Sequence, residues 1–272
     1  MPRDTGFRSA RGRDRLAVVL REAGDLVTVE ATAHALRMDR RRAAKLLARW
    51  TEQGWLKRLR RGLYAPIPVA ALSLERTLED PWVLVPELFE PGYVGGWSAA
   101  EHWGLTEQIF REVCIFTTRP VRSKRDEIGG VGFVFFRIGS EAVFGTRAVW
   151  RGKVRVQVSD PHRTLVDLLA RPSAGGGIRH VASCLESYLG ENDADLGQVI
   201  AYADKLGVGS VFKRLGFLLE RSGRADPAIL QECRDRLTAG NAKLDPALAS
   251  PRLVSRWRLR VPARWLRGGP AR

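Results

Sequence analysis

Apolar positions recur at helical spacing three times in quick succession near the start of the chain. Leu16, Val19 and Leu20 put one apolar face on a helix over residues 13–23, closed by Gly24. Thr28 caps a second helix with Ala31, Ala35 and Leu36 inward and Glu30 in the first turn, where a negative charge suits the helix dipole. Asp39 caps a third, running from Arg40 to the neighbourhood of Gln53 and ended by Gly54. At about 100° per residue, Ala43, Leu46, Leu47 and Trp50 fall in one arc, and Arg41, Arg42, Lys45 and Arg49 in another nearly opposite. Trp55 to Leu59 and Leu63-Tyr64 then read as two short strands around an Arg60-Arg61-Gly62 turn. Three helices followed by a basic hairpin predict a winged helix-turn-helix over residues 1–66.

Past Pro66-Ile67-Pro68 the pattern turns to mixed α/β. Residues 75–89 read as helical with a break at Pro81, and Ser98 caps a helix holding Ala99, Ala100, Trp103 and Leu105. Residues 113–118 and 132–137 are β-rich. Residues 143–150 and 153–159 flank Arg151-Gly152, and Val154, Val156 and Val158 alternate with Lys153, Arg155 and Gln157, the period-2 signature of a hairpin with one buried face. Asp160-Pro161 supplies an N-cap and first-turn proline for a helix with Leu165, Leu168 and Leu169 inward. Four more helices follow near 177–189, 195–206, 208–220 and 227–237. In the tail, Trp257, Leu259 and Val261 alternate with Arg256, Arg258 and Arg260, which predicts an added edge strand, with Trp265 loose beyond Pro262. The expected class is α+β: a winged helix-turn-helix over 1–66, then a larger mixed α/β domain over 67–272 with an antiparallel sheet, a C-terminal helical group and a basic C-terminal strand or tail.

The 272 residues suit two domains, and 44% apolar against 28% charged residues excludes wholesale disorder. The formal charge of +15 is concentrated at the ends. Residues 1–66 hold 16 Lys or Arg against 7 Asp or Glu, net +9; residues 67–250 are net −1; residues 251–272 are net +7. A positive block on a small N-terminal domain joined to a neutral body is the electrostatic footprint of a nucleic-acid reader. Arg3, Arg8, Arg11 and Arg13 read as a flexible arm adding nonspecific attraction. Residues 62–74 lack charge but hold Pro66 and Pro68, and the apolar run 16–20 is too brief for a signal peptide, so a soluble cytoplasmic protein with no membrane partner is expected. Cys114, Cys184 and Cys233 are far apart and odd in number, and His34, His102, His162 and His180 are scattered. Neither disulfides nor a metal site is expected, and no cofactor.

The chemistry of the N-terminal pattern is that of DNA reading. A third helix in the major groove presents Arg40, Arg41, Arg42, Lys45 and Arg49 to base edges and phosphates, where an arginine can bond guanine in bidentate fashion. Arg60 and Arg61 on the wing reach phosphate or the minor groove, and the second helix, starting at Thr28, offers its N-terminus to a phosphate. Catalysis fits less well. Ser98, Ser159, Asp160, His162 and Asp167 have simpler roles: Ser98 and Asp160 as caps, His162 as a first-turn surface residue, Asp167 as ion-pair partner of Arg163 or Arg171. Gly175-Gly176-Gly177 lacks the Lys-Ser/Thr of a phosphate-binding loop, and Glu101, Asp126, Glu127 and Glu141 form no metal-binding group. The chain is not expected to be an enzyme.

Several segments together resemble a known family. They are Gly54-Trp55-Leu56 leading to Arg61-Gly62-Leu63-Tyr64, then Tyr93-Val94-Gly95-Gly96-Trp97-Ser98-Ala99-Ala100, then Asp160-Pro161-His162-Arg163-Thr164-Leu165-Val166-Asp167. Gly175-Gly176-Gly177-Ile178 and Lys213-Arg214-Leu215-Gly216-Phe217-Leu218-Leu219-Glu220 continue the series, which spans residues 13–260 in one order. It resembles the AbiEi antitoxins of type IV, or abortive-infection, toxin-antitoxin systems. The resemblance implies a bacterial phage-defence role in which the winged helix represses its own operon by binding double-stranded operator DNA at inverted repeats. It also implies a C-terminal domain that neutralises a nucleotidyltransferase-like toxin. His162 stands where the family pattern has an acidic residue. A stand-alone winged-helix transcriptional regulator whose C-terminal domain senses a ligand or partner is the alternative.

Overall fold

Side-chain caps start the second and third helices at the positions their sequence marks. The computed structural model describes residues 5–24, 26–67, 80–224 and 226–266. Helix α1 (Thr5–Ala23) is followed by β1 (Val27–Thr28), α2 (Val29–Ala35) and α3 (Arg40–Glu52). The Thr28 hydroxyl accepts from the Ala31 N–H at 3.0 Å and the Asp39 carboxylate from the Arg42 N–H at 2.9 Å, each satisfying an amide with no intrahelical partner. Strands β2 (Leu56–Arg60) and β3 (Leu63–Pro66) form the basic hairpin, and β1 joins β3, giving the order β1-β3-β2. Val19, Val27, Leu46, Leu47, Trp50, Leu56 and Tyr64 close a common core. The expected arm is corrected here: Arg8, Arg11 and Arg13 belong to α1, whose Gly12 packs against the Trp55 ring. The Arg13 guanidinium lies 5.8 Å from the centroid of that ring. Arg3 lies outside the described residues.

The body begins with a short 3-10 turn, Pro81–Val83, capped by Asp80, and α4 (Leu84–Phe89); residues 75–79 of the expected helix lie outside the described residues. Then come β4 (Gly92–Val94), α5 (Gly96–His102), β5 (Glu112–Thr117), β6 (Arg125–Ile128), β7 (Val131–Arg137), β8 (Thr146–Arg151) and β9 (Val154–Ser159). They form one six-stranded sheet in the order β6-β7-β5-β4-β9-β8. It is mixed rather than antiparallel, since β5 pairs β7 and β4 pairs β9 in parallel. Alternation marks the buried face of a strand, whereas pairing direction is set by contacts distant in sequence. Ser98 does not cap α5. The helix starts two residues earlier at Gly96, whose φ of 56° suits glycine, and the Ser98 hydroxyl accepts from the Cys114 N–H at 3.0 Å.

Five helices follow: α6 (Pro161–Ala170), α7 (Ile178–Tyr188), α8 (Leu196–Leu206), α9 (Ser210–Ser222) and α10 (Pro227–Asp235). Their apolar faces build the largest core, with Leu165, Leu168, Val181, Leu185, Ile200 and Leu215 among its members. Arg214, buried on α9, donates to the carbonyl oxygens of Lys243, Leu244, Leu169 and Ala170 and to the Ser210 hydroxyl, and burial pushes its guanidinium down to about 10. Strands β10 (Ala242–Lys243), β11 (Arg252–Val254) and β12 (Leu259–Val261) close the chain as a small sheet. The tail strand is therefore central, not an edge, as β12 lies between β10 and β11. Trp257, Leu259 and Val261 are buried and Arg256, Arg258 and Arg260 exposed, but the expected strand is shorter: Ser255–Trp257 form a 3-10 turn, Arg258 is left-handed at φ 48°, and only Leu259–Val261 is strand. Trp265 is also buried, packed on Phe217 with the Arg221 guanidinium 5.5 Å from its ring, so it is not loose.

The hairpin and body share a core at their seam. Leu63 of β3 is buried among Val83, Leu84, Val85 and Phe89, with Leu26 and Leu59 packed against the same cluster. Among the described residues no helix is long and apolar enough to cross a membrane.

Candidate nucleic-acid interface

Helix α3 divides its residues by charge. Ala43, Leu46, Leu47 and Trp50 face the core, and Arg40, Arg41, Arg42, Lys45 and Arg49 are all exposed. Arg40 pairs with Glu30 of α2, and Arg42 with the capping Asp39 at 3.2 Å. Both pairs lie in solvent and are worth about 1 kcal/mol or less, so neither holds its arginine against a stronger anion. Among the described residues no carboxylate is within ion-pair distance of Arg41, Lys45 or Arg49. The five side chains are spread over about 14 Å of the helix on the rise of an α-helix.

The connection between α2 and α3 adds a cation the sequence reading left out. Arg37 is exposed and left-handed, with φ 48°, and the N–H of Met38 reaches back to the Ala33 carbonyl oxygen at 2.9 Å. A glycine is the usual residue at such a helix end, so the four-residue connection without one, Leu36 to Asp39, was the available signal. Thr28 sits half-buried at the start of α2 with its hydroxyl engaged as the cap. The basic hairpin is less available than its sequence suggests. Arg61 is exposed at the tip beside Gly62, whose φ of 83° makes the turn, but Arg60 forms an ion pair with Asp126 of β6 in the body. Of the two, only Arg61 has no carboxylate within ion-pair distance among the described residues.

The residues weighed for hydrolysis lie elsewhere and are occupied. Asp160 caps α6 through the Arg163 N–H at 2.8 Å and accepts from the Tyr202 hydroxyl at 3.0 Å. The buried Ser159 hydroxyl lies 2.8 Å from that of Thr164. His162 is half-buried, not a surface residue, with Nδ1 2.6 Å from the Tyr188 hydroxyl. Asp167 pairs with Arg163, at 3.0 Å, with both side chains fully buried. Arg163 also donates to the Tyr93 hydroxyl and the Ala142 carbonyl oxygen, each at 2.9 Å, and Tyr93 donates to Asp167 at 2.9 Å. Burial raises the Asp167 carboxyl against the pull of Arg163, and raises the Tyr93 phenol well above its ordinary range. This network ties β4 to α6 and exposes no reactive group. Sequence reasoning found the Arg163 pairing at i, i+4 spacing but not its burial or Tyr93, which lies 70 residues away from Arg163 in the chain. Among the described residues no group of three or more His, Cys, Asp or Glu is placed to hold a metal ion.

No protein-family model and no curated protein matches the chain. Among solved structures, the RV2827C protein from Mycobacterium tuberculosis is similar with a TM-score of 0.63, covering 92% of this chain and 90% of that one, at 18% sequence identity. At that identity the likeness carries the fold alone, a mixed α+β architecture extending over nearly the whole length of both chains.

Proposed function

We propose that the protein is a DNA-binding antitoxin of the AbiEi kind, with residues 1–66 acting as a winged helix-turn-helix and the body neutralising a nucleotidyltransferase-like toxin. The observation that carries the DNA part is the exposed cationic face of α3 set against a fully apolar buried face. In this reading α3 lies in the major groove of operator DNA, with Arg41, Arg42, Lys45 and Arg49 on base edges and phosphates, Arg40 exchanging Glu30 for phosphate, and Arg61 on the backbone beside it. Thr28 serves by holding the start of α2. The toxin part rests on the family resemblance, and β8 suits it physically: it is an edge of the six-stranded sheet and carries Trp150, 65% exposed. An open strand edge bearing an aromatic anchor is a common way to meet a protein partner.

Two experiments test the reading. Selection of duplexes from a random library by the full chain is expected to enrich one sequence arranged as inverted repeats; recovery of no preferred sequence overturns the operator assignment. Co-expression with a nucleotidyltransferase-like toxin from the same operon is expected to restore growth, and continued arrest overturns the antitoxin assignment.

The wing contact gives a sharper expectation. With Asp126→Ala, Arg60 loses its carboxylate and becomes available to phosphate, so affinity for the selected duplex should rise by up to about 1 kcal/mol, the ceiling for an exposed pair. The salt dependence should steepen by about one counterion. Fluorescence anisotropy across a salt series measures both, and an unchanged slope places Arg60 away from the DNA.

A further inference from the structure

A second concentration of positive charge lies in the body, which the net charge of its sequence hides. Strand β6 pairs with β7 only as far as Arg125 opposite Val134. One more bond, from the Phe135 N–H to the Lys124 carbonyl oxygen at 2.9 Å, ends the contact, so Phe136 and Arg137 lie on an open sheet edge. Between this edge and the turn Pro172–Gly175 is a cleft of about 940 Å³. Its volume falls in the range of small-molecule sites, about 300–1,000 Å³.

The lining has two parts. Phe110 and Phe136 are half-buried and stack on other rings: Trp97 on Phe110 at 5.2 Å and 18°, where His180 also meets Phe110 edge-to-face at 5.3 Å, and Phe116 on Phe136 at 5.2 Å and 22°. Around them stand Arg111, Arg122, Lys124 and Arg137, all exposed, with no carboxylate in ion-pair distance among the described residues. Glu112, which also lines the cleft, is engaged by Arg125 at 3.2 Å. Cations gathered without counter-charge repel one another and favour a ligand with several negative charges. Open ring faces favour a planar group that continues the stack. A DNA duplex offers no such face, because its bases are already stacked, and an acidic peptide has no use for it. A nucleotide satisfies both parts at once.

We propose that this cleft binds a nucleoside triphosphate, its base against Phe110 and Phe136 and its phosphates among Arg111, Arg122, Lys124 and Arg137. None of these residues lies on α3 or the hairpin, but Arg122 also lines a neighbouring cleft with Arg60 and Arg61, so variants of each surface are needed to separate nucleotide binding from DNA binding.

Calorimetric titration of the full chain with ATP, GTP, CTP and UTP, with inorganic triphosphate and with a ten-residue oligothymidylate tests it. Saturable binding of at least one nucleoside triphosphate, at least tenfold tighter than inorganic triphosphate, is expected. Arg122→Ala with Lys124→Ala, both exposed and so not needed for folding, should weaken it at least tenfold with an unchanged circular dichroism spectrum. Phe136→Leu should abolish the advantage over inorganic triphosphate. The Arg41, Arg42, Lys45 triple alanine variant should bind nucleotides like the wild type, whatever becomes of its DNA binding. Absence of nucleotide binding at millimolar concentration, equal affinity for inorganic triphosphate, or binding of the oligonucleotide alone each overturns the proposal.

Discussion

Replacing Arg41, Arg42 and Lys45 together by alanine is expected to lower affinity for the selected duplex by at least about 100-fold, because a base-contacting arginine is worth about 1–3 kcal/mol and each lost phosphate contact adds to that. The fold should survive. All three side chains are exposed, the apolar face of Ala43, Leu46, Leu47 and Trp50 is untouched, and alanine is the best helix former. The two kinds of contact separate by salt. Loss of a phosphate contact flattens the salt slope by about one unit and weakens all sequences alike, whereas loss of a base contact relaxes preference at one position. Arg61→Ala belongs to the first kind, and Arg60→Ala should do less, being committed to Asp126. Anisotropy titrations of each single variant and the triple, over a salt series and with one-base variants of the duplex, give the partition. A triple variant with wild-type affinity removes α3 from the DNA.

These expectations were largely legible in the sequence because they rest on local rules. Thr28, Asp39 and Asp160 cap the helices whose starts they mark, and the arcs of α3 follow from its period alone. What the sequence did not carry is what depends on distant partners. Ser98 looks like a cap until Gly96 takes the left-handed conformation that starts α5 before it. The alternation from Trp257 to Val261 marks the buried side chains correctly, but only Leu259–Val261 is strand, Ser255–Trp257 being a 3-10 turn with Arg258 left-handed, and nothing local says that β10 and β11 flank it. The charge sum of the body conceals the cluster at β7, since charges far apart in sequence cancel in a count and not in space. Likewise Asp126, beside Glu127 in a run that begins with Arg122, Lys124 and Arg125, gives no sign of reaching the hairpin.

Removing Arg163 is expected to have the largest effect on stability of any single change in the body. Arg163→Met takes away the donors to Asp167, Tyr93 and the Ala142 carbonyl oxygen while leaving Asp167 fully buried without its counter-charge, and breaking a buried pair from one side costs about 3–5 kcal/mol. Arg163→Met combined with Asp167→Leu removes both charges and should recover much of that loss, since a buried pair replaced by apolar side chains of similar volume is often neutral. The single variant should also acquire a pH dependence of known sign. Burial already raises the Asp167 carboxyl against the opposing pull of Arg163, so without Arg163 it rises further. A carboxyl whose folded pKa lies above its unfolded one stabilises fully below the unfolded value, and that contribution is lost as pH rises through the folded value. The deficit of Arg163→Met relative to wild type should therefore shrink as pH falls toward the ordinary carboxylate range, and the double variant should show no such trend. Urea unfolding followed by circular dichroism over a pH series measures it. A deficit that stays constant with pH would mean that Asp167 is rescued by another donor, with Tyr93, already bonded to it, as the one in place.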